Sequence, residues 1–192
     1  MKSASIGCLL AVLLTLATAT AHAKECLGVS FPDRMRVDGS ELTLNGLGVR
    51  KATFLKVNVY VAALYAKQPS RDPKALVAAN GPDELVLHFV RDVGVDDLTK
   101  AWNEGFERNS KQQLPAFKDR IAKLNSWMSD MKSGQRLTFI RRPGVGIEVG
   151  VNGALKGTVE GDDFARALLA IWLGETPPNP ELKQGLLGGV CD

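Results

Sequence analysis

Few residues in this chain could carry chemistry, and their scarcity narrows what they could do. The histidines are His22 and His88, and the cysteines are Cys8, Cys26 and Cys191. A Ser-His-Asp or Cys-His catalytic set would need His88 as its base. His88 lies in Glu84-Leu85-Val86-Leu87-His88-Phe89-Val90, an alternating run that reads as a strand. A packed or solvated strand histidine is therefore its expected role. So few histidines cannot build a His-rich zinc or copper site. No Cys-x-x-Cys occurs, so thioredoxin-like redox chemistry has no support. Neither a metal nor a cofactor is expected. Gly144, Gly146 and Gly150 sit inside a strand pattern instead of between a strand and a helix, so they read as bends and not as a phosphate loop.

The N-terminus decides which of these groups matter. Met1-Lys2 starts positive, Ile6 to Ala17 is an apolar run of secretory length, and Ala21-His22-Ala23 supplies a small-x-small cleavage pattern. Cys8 precedes most of that run, which does not fit a lipoprotein signal. Residues 1–23 are expected to be a signal peptide cleaved after Ala23, and residues 24–192 a single periplasmic domain. The mature chain would then keep His88, Cys26 and Cys191. Export exposes those two cysteines, one at each end, to an oxidising compartment, where a Cys26–Cys191 disulfide is expected. No later stretch approaches 18 apolar residues, so no integral membrane segment is expected in the mature chain. With 45% hydrophobic and 23% charged residues and a net charge of +3, the chain reads as globular, and nucleic acid is not an expected partner.

The elements that must position these groups are legible in the hydrophobic pattern. Leu42-Thr43-Leu44 reads as a strand leading into Asn45-Gly46, a tight-turn signal. Thr53 to Tyr65 reads as one long central strand, bent or bulged. A short helix is expected over Pro73 to Ala79, followed by the His88 strand. Leu98, Trp102 and Phe106 fall at i, i+4 and i+8 behind Asp96 and Asp97, the signature of an amphipathic helix. A second helix starts near Leu114-Pro115 and carries Phe117, Ile121, Leu124, Met128 and Met131 on one face. Arg136 to Ile140, Gly146 to Val151 and Ala154 to Val159 read as a meander turned at Asn152-Gly153. A helix bearing Phe164, Leu168, Ile171 and Trp172 follows, then a last short helix over Pro180 to Leu187. The expected class is α+β, an open-faced antiparallel sheet covered by a layer of helices.

Leu44 to Tyr65, with Gly48-Val49-Arg50 at its centre, resembles the chalcone isomerase-like family, in its exported bacterial branch. Phe164 to Trp172, Gly174, and Pro180-Glu181-Leu182-Lys183 to Gly188 look like the same branch. The resemblance implies an apolar cleft between sheet and helices. In catalytic members, the motif arginine assists ring closure of a chalcone, and other members bind fatty acids without catalysis. By residue match that arginine is Arg50. Tyr60, or Asn58 if the strand differs in length, falls near the family's strand threonine. The positions matching the family's catalytic tyrosine and asparagine are Leu98 and Gly105, which carry no hydrogen-bonding side chain.

These matches lead to an expectation of a non-catalytic protein that binds a small apolar or amphipathic ligand, such as a fatty acid. Arg50 would be the polar anchor, since a guanidinium suits a carboxylate. Tyr60, Asn58, Trp102 and Phe106 are the other candidate ligand contacts. Core packing is the competing role for the aromatic ones, and a scaffold ion pair for Arg50. Two alternatives stand beside this reading. One is an intramolecular lyase or isomerase acting on an enone, with Arg50 as its catalytic residue. The other is an envelope protein with a structural or partner-binding role.

Overall fold

The computed structural model describes residues 22–53 and 55–191. The signal peptide expected over residues 1–23 therefore lies, except for its last two residues, outside the described residues. Ala23 opens the first strand and pairs with Pro32.

Two short strands, β1 (Ala23–Cys26) and β2 (Val29–Pro32), form a hairpin of their own. Seven more strands form one sheet in sequence order: β3 (Arg34–Val37), β4 (Ser40–Ala52), β5 (Val57–Ala66), β6 (Asp83–Phe89), β7 (Arg136–Arg142), β8 (Gly146–Val151) and β9 (Ala154–Glu160). Every pairing is antiparallel. Helix α1 (Pro73–Ala78) connects β5 to β6. Helices α2 (Val95–Asn109) and α3 (Leu114–Ser126) connect β6 to β7. Helices α4 (Asp162–Leu173) and α5 (Pro180–Leu186) follow β9.

Two expectations are corrected here. Asn45-Gly46 does not turn the chain: β4 runs straight through it, and the irregularity is a bulge between Leu44 and Gly46. The run from Thr53 to Tyr65 is not one strand. Past Ala52, Thr53 and Lys56 stand at positive φ, the Lys56 amide donates to the Thr53 carbonyl at 3.1 Å, and β5 begins at Val57. In both places the apolar pattern continues across the break, so periodicity alone could not locate it. The hairpin β1–β2 and strand β3 carry too few alternating positions to be read in advance.

The period-two alternation of β5 divides the interior. Tyr60, Ala62, Leu64 and Ala66 face α2, α3 and α4 in the main core, together with Leu87, Phe139, Phe164 and Trp172. Val61, Ala63 and Tyr65 face the opposite side and pack with Phe31, Val49 and Val86. The β1–β2 hairpin covers that second core, and the Tyr65 hydroxyl donates to the Pro32 carbonyl at 3.0 Å. Cys26 and Cys191 form the expected disulfide, with Cα atoms 6.0 Å apart. It ties the hairpin to the segment after α5 across a sequence separation of 165 residues. Among the described residues, no helix is long and apolar enough to cross a membrane.

Helix α5 lies unusually close to β4. A Cβ on Gly48 would overlap the Leu182 carbonyl, and one on Gly46 would overlap the Gly185 carbonyl. The glycine of Gly48-Val49-Arg50 is thus a contact point between two backbones. Asn45, buried beside it, donates to the Leu186 carbonyl at 2.7 Å and accepts from the Ser70 amide at 2.7 Å. These contacts fix α5 over the strand that carries Arg50.

Candidate functional site

Arg50 and Tyr60 are directly opposite each other on β4 and β5, and Tyr60 is in turn opposite Phe89 on β6. This row faces the helices. A bulge between Arg50 and Lys51 shifts the register, so Asn58 pairs with Lys51 and not with Arg50. Register thus places Tyr60, and not Asn58, opposite Arg50. Tyr60 shares the row with Arg50, whereas Asn58 lines a shallow patch with Leu27, Val57, Val90 and Arg91.

The row forms one wall of a cleft of about 420 Å³. From the sheet it is lined by Arg50, Ala52, Val59, Tyr60 and Phe89. Helix α2 supplies the facing wall with Leu98, Ala101 and Trp102, and charged residues at its rim include Asp97, Lys100 and Glu104. Ile171 of α4 and Pro178 close one end. The middle is apolar and the rim is charged, the distribution expected of a site for an amphipathic molecule.

Arg50 is half-buried at this cleft, and its hydrogen bonds go to neutral acceptors. Nη1 donates to Asn179 Oδ1 at 3.0 Å and to the Lys51 carbonyl. Among the described residues no carboxylate lies within ion-pair distance of it. The scaffold ion pair is therefore not its arrangement here. A partly buried cation without a counter-charge favours an anion brought in from outside.

The sequence pattern does not single out Asn179 as a site residue. The pair Asn179-Pro180 does signal a helix start. Yet its side chain makes no cap hydrogen bond to α5. It accepts from the Lys51 amide at 3.0 Å and donates to the Lys51 carbonyl at 3.0 Å, which pins the start of α5 to β4 and aligns the acceptor for Arg50.

Tyr60 is buried, and its hydroxyl accepts from Trp172 Nε1 at 2.9 Å. Burial pushes its pKa up to about 12, against smaller opposing effects of the Trp172 hydrogen bond and the Arg50 charge. The hydroxyl stays protonated at neutral pH, so the sheet wall presents a cation beside a neutral phenol.

Trp102 lines the cleft but is 2% exposed, packed edge-on against Phe139 with ring centroids 5.9 Å apart. Phe106 is fully buried against Phe164 at 5.3 Å and lies outside the lining. It takes the core role that its helical spacing also allowed. On α2 the buried Trp102 Nε1 has no hydrogen-bond partner among the described residues, whereas the two positions that match the family's catalytic pair offer nothing to a reacting oxygen. Leu98 is aliphatic, and Gly105 has no side chain and abuts Ile171. His88 is on the other face of the sheet, accepting from Arg136 Nε at 3.1 Å, with its pKa lowered by burial and then by the Arg136 charge. Among the described residues, no cluster of three or more His, Cys, Asp or Glu could hold a metal ion.

Comparison with known proteins gives two positive findings. The family model described as chalcone isomerase-like matches residues 23–188. A crystal structure of a fatty-acid binding protein from Arabidopsis thaliana is similar, with a TM-score of 0.64 and 17% sequence identity. The match covers 83% of this chain and 92% of that one. No curated protein matches the chain.

Proposed function

The chain belongs to the chalcone isomerase-like family, and from that premise we propose that it is a non-catalytic binder of an amphipathic acid, a fatty acid being the simplest example. The observation that carries the proposal is Arg50: a guanidinium beside an apolar cleft, held by neutral acceptors and without an acidic partner among the described residues. The carboxylate of the ligand would pair with Arg50, assisted by the neutral Tyr60 hydroxyl. The acyl chain would lie between Val59, Phe89, Leu98 and Ala101. The similar Arabidopsis protein binds fatty acids, which agrees with this chemistry.

The enone-isomerase alternative is less favoured by the cleft. Leu98 and Gly105 offer no donor to a developing oxyanion, and losing such a donor typically costs about a hundredfold or more in rate. The reading also includes export to the periplasm. The leader pattern supports it, as does the Cys26–Cys191 disulfide, since disulfides persist in oxidising compartments.

The test is displacement of a fluorescent fatty acid from the purified protein. Arg50→Ala is expected to weaken binding about tenfold or more, the effect of losing a charge-assisted hydrogen bond. Arg50→Lys, which keeps the charge but not the fork, should recover part of it. Equal binding by all three proteins would remove Arg50 from the site. Chalcone cyclisation above background, lost in Arg50→Ala, would replace this reading with the isomerase.

A further inference from the structure

Two indoles meet between the sheet and the helices, and they differ in one respect. Trp102 of α2 and Trp172 of α4 pack with ring centroids 5.6 Å apart, and both are buried. The Trp172 N–H is satisfied by the Tyr60 hydroxyl. The Trp102 Nε1 is buried as well, yet it has no hydrogen-bond partner among the described residues. The rings against it, Phe139 at 5.9 Å and Trp172, carry no oxygen. Leu98, Ala101 and Ile171, which share the cleft lining with Trp102, are aliphatic. Buried donors in folded proteins are nearly always paired, so an unpaired one on a cleft wall calls for an acceptor that the fold itself does not supply.

The other donors of the cleft already suit a carboxylate. Arg50 makes its hydrogen bonds from Nη1, which leaves the rest of the guanidinium fork for a ligand. The Tyr60 oxygen accepts from Trp172, so its own O–H remains to donate. These two residues stand opposite each other on β4 and β5, and the two oxygens of one carboxylate match them. Trp102 is outside that pair. It is on α2, with the Trp172 ring between it and the Tyr60 hydroxyl, on the stretch of wall assigned above to the acyl chain. A donor placed there suits an oxygen on the chain and not on the head.

We infer that Trp102 Nε1 donates to a hydroxyl or keto oxygen on the ligand's chain, so that the cleft selects an oxygenated acid over a plain fatty acid. The inference rests on the binding function proposed above and narrows its ligand class. Selection follows from what each partner would lose. A chain hydroxyl entering an apolar cleft gives up water and is compensated only where it finds a hydrogen bond. A plain chain seated on Trp102 leaves the indole N–H unpaired. A buried donor therefore discriminates against a ligand that lacks its acceptor more strongly than an apolar wall discriminates by size.

The test is competition between myristic acid and its monohydroxylated positional isomers, read by displacement of a fluorescent fatty acid from the purified protein. At least one isomer is expected to bind about tenfold more tightly than myristic acid. In Trp102→Phe the order should reverse, with myristic acid bound as before and that isomer weakened below it. The variant's melting temperature shows whether it folds, and a second readout needs no variant. The chain has three tryptophans, so the wild type gives three indole N–H resonances. One should move downfield with the preferred isomer and not with myristic acid. Trp172 is already bonded, and Trp127 packs over Gly157, outside the cleft lining. Equal affinity of the wild type for all the acids would overturn the inference, as would indole resonances blind to the hydroxyl or a preference that survives in Trp102→Phe. Arg50→Ala separates the two proposals: it should weaken every acid alike and leave the preference unchanged. Equal affinities of Arg50→Ala and wild type would count against the Arg50 reading and not against Trp102, whereas binding of no acid at all would remove both.

Discussion

The indole N–H of Trp172 donates to the Tyr60 hydroxyl at 2.9 Å, joining α4 to the sheet in the row that contains Arg50. Both side chains are buried, so each satisfies a polar group that water cannot reach. Trp172→Phe and Tyr60→Phe are each expected to destabilise the fold by about 1–2 kcal/mol. A double-mutant cycle in thermal or denaturant unfolding should give a coupling near 1 kcal/mol. Additive effects would mean that the bond contributes nothing.

The chain has two tyrosines, Tyr60 and Tyr65, and burial pushes both up to about 12. The ordinary value is 10.0. Because the folded values are raised, the stability they lend is complete below the ordinary value and is lost as pH rises through the folded one. An absorbance titration of the native protein should therefore show no phenolate through pH 10. A phenolate signal at the ordinary value would show that one hydroxyl is solvated.

Glu84 is buried on the outer face of β6, between Tyr65 and Ile140 on the neighbouring strands. Burial, and then the charge of Glu148, push it up to about 7 from an ordinary 4.5. A raised folded value means that its stabilisation is complete below the ordinary value and is lost as pH climbs through about 7. Between pH 5 and pH 8 the wild type should lose on the order of 2 kcal/mol that Glu84→Gln does not lose. Parallel stability curves for the two proteins would contradict this.

Arg141 pairs with Asp83 in the interior and also donates to the Leu76 carbonyl at 2.9 Å and the Val77 carbonyl at 2.8 Å, fastening α1 to the sheet. Arg141→Leu strands a buried carboxylate and two carbonyls, and a cost of about 3–5 kcal/mol is expected. Replacing both partners with leucine should recover much of that loss. A double variant as unstable as the single would show that the carbonyl contacts, and not the ion pair, dominate.

Gly48→Ala would press a Cβ into the Leu182 carbonyl and side chain. It should lower stability by about 2 kcal/mol or more, and it should weaken ligand binding because α5 carries Asn179. Gly94→Ala is the control, since nothing lies within 4 Å of its added Cβ. Equal melting temperatures for the two variants would show that α5 can retreat without loss.

Read alone, the sequence determined the order of elements from the His88 strand onward, the helix-bearing α+β class and the motif containing Arg50. These rest on local regularities such as alternation in β6 and the i, i+4, i+8 spacing of Leu98, Trp102 and Phe106. They survive because each element must bury its own apolar face. Cys26 and Cys191, set apart from Cys8 by the leader pattern, also pointed to the disulfide that ties the first hairpin to the segment after α5. Only the tertiary structure decided that Tyr60 and not Asn58 stands opposite Arg50, because a single bulge sets that register. Only the tertiary structure showed that Asn179, distant in sequence, supplies a neutral acceptor to Arg50 and leaves its charge without an acidic partner. Register and long-range backbone approach depend on which remote segments meet, and local residue patterns carry no record of that meeting.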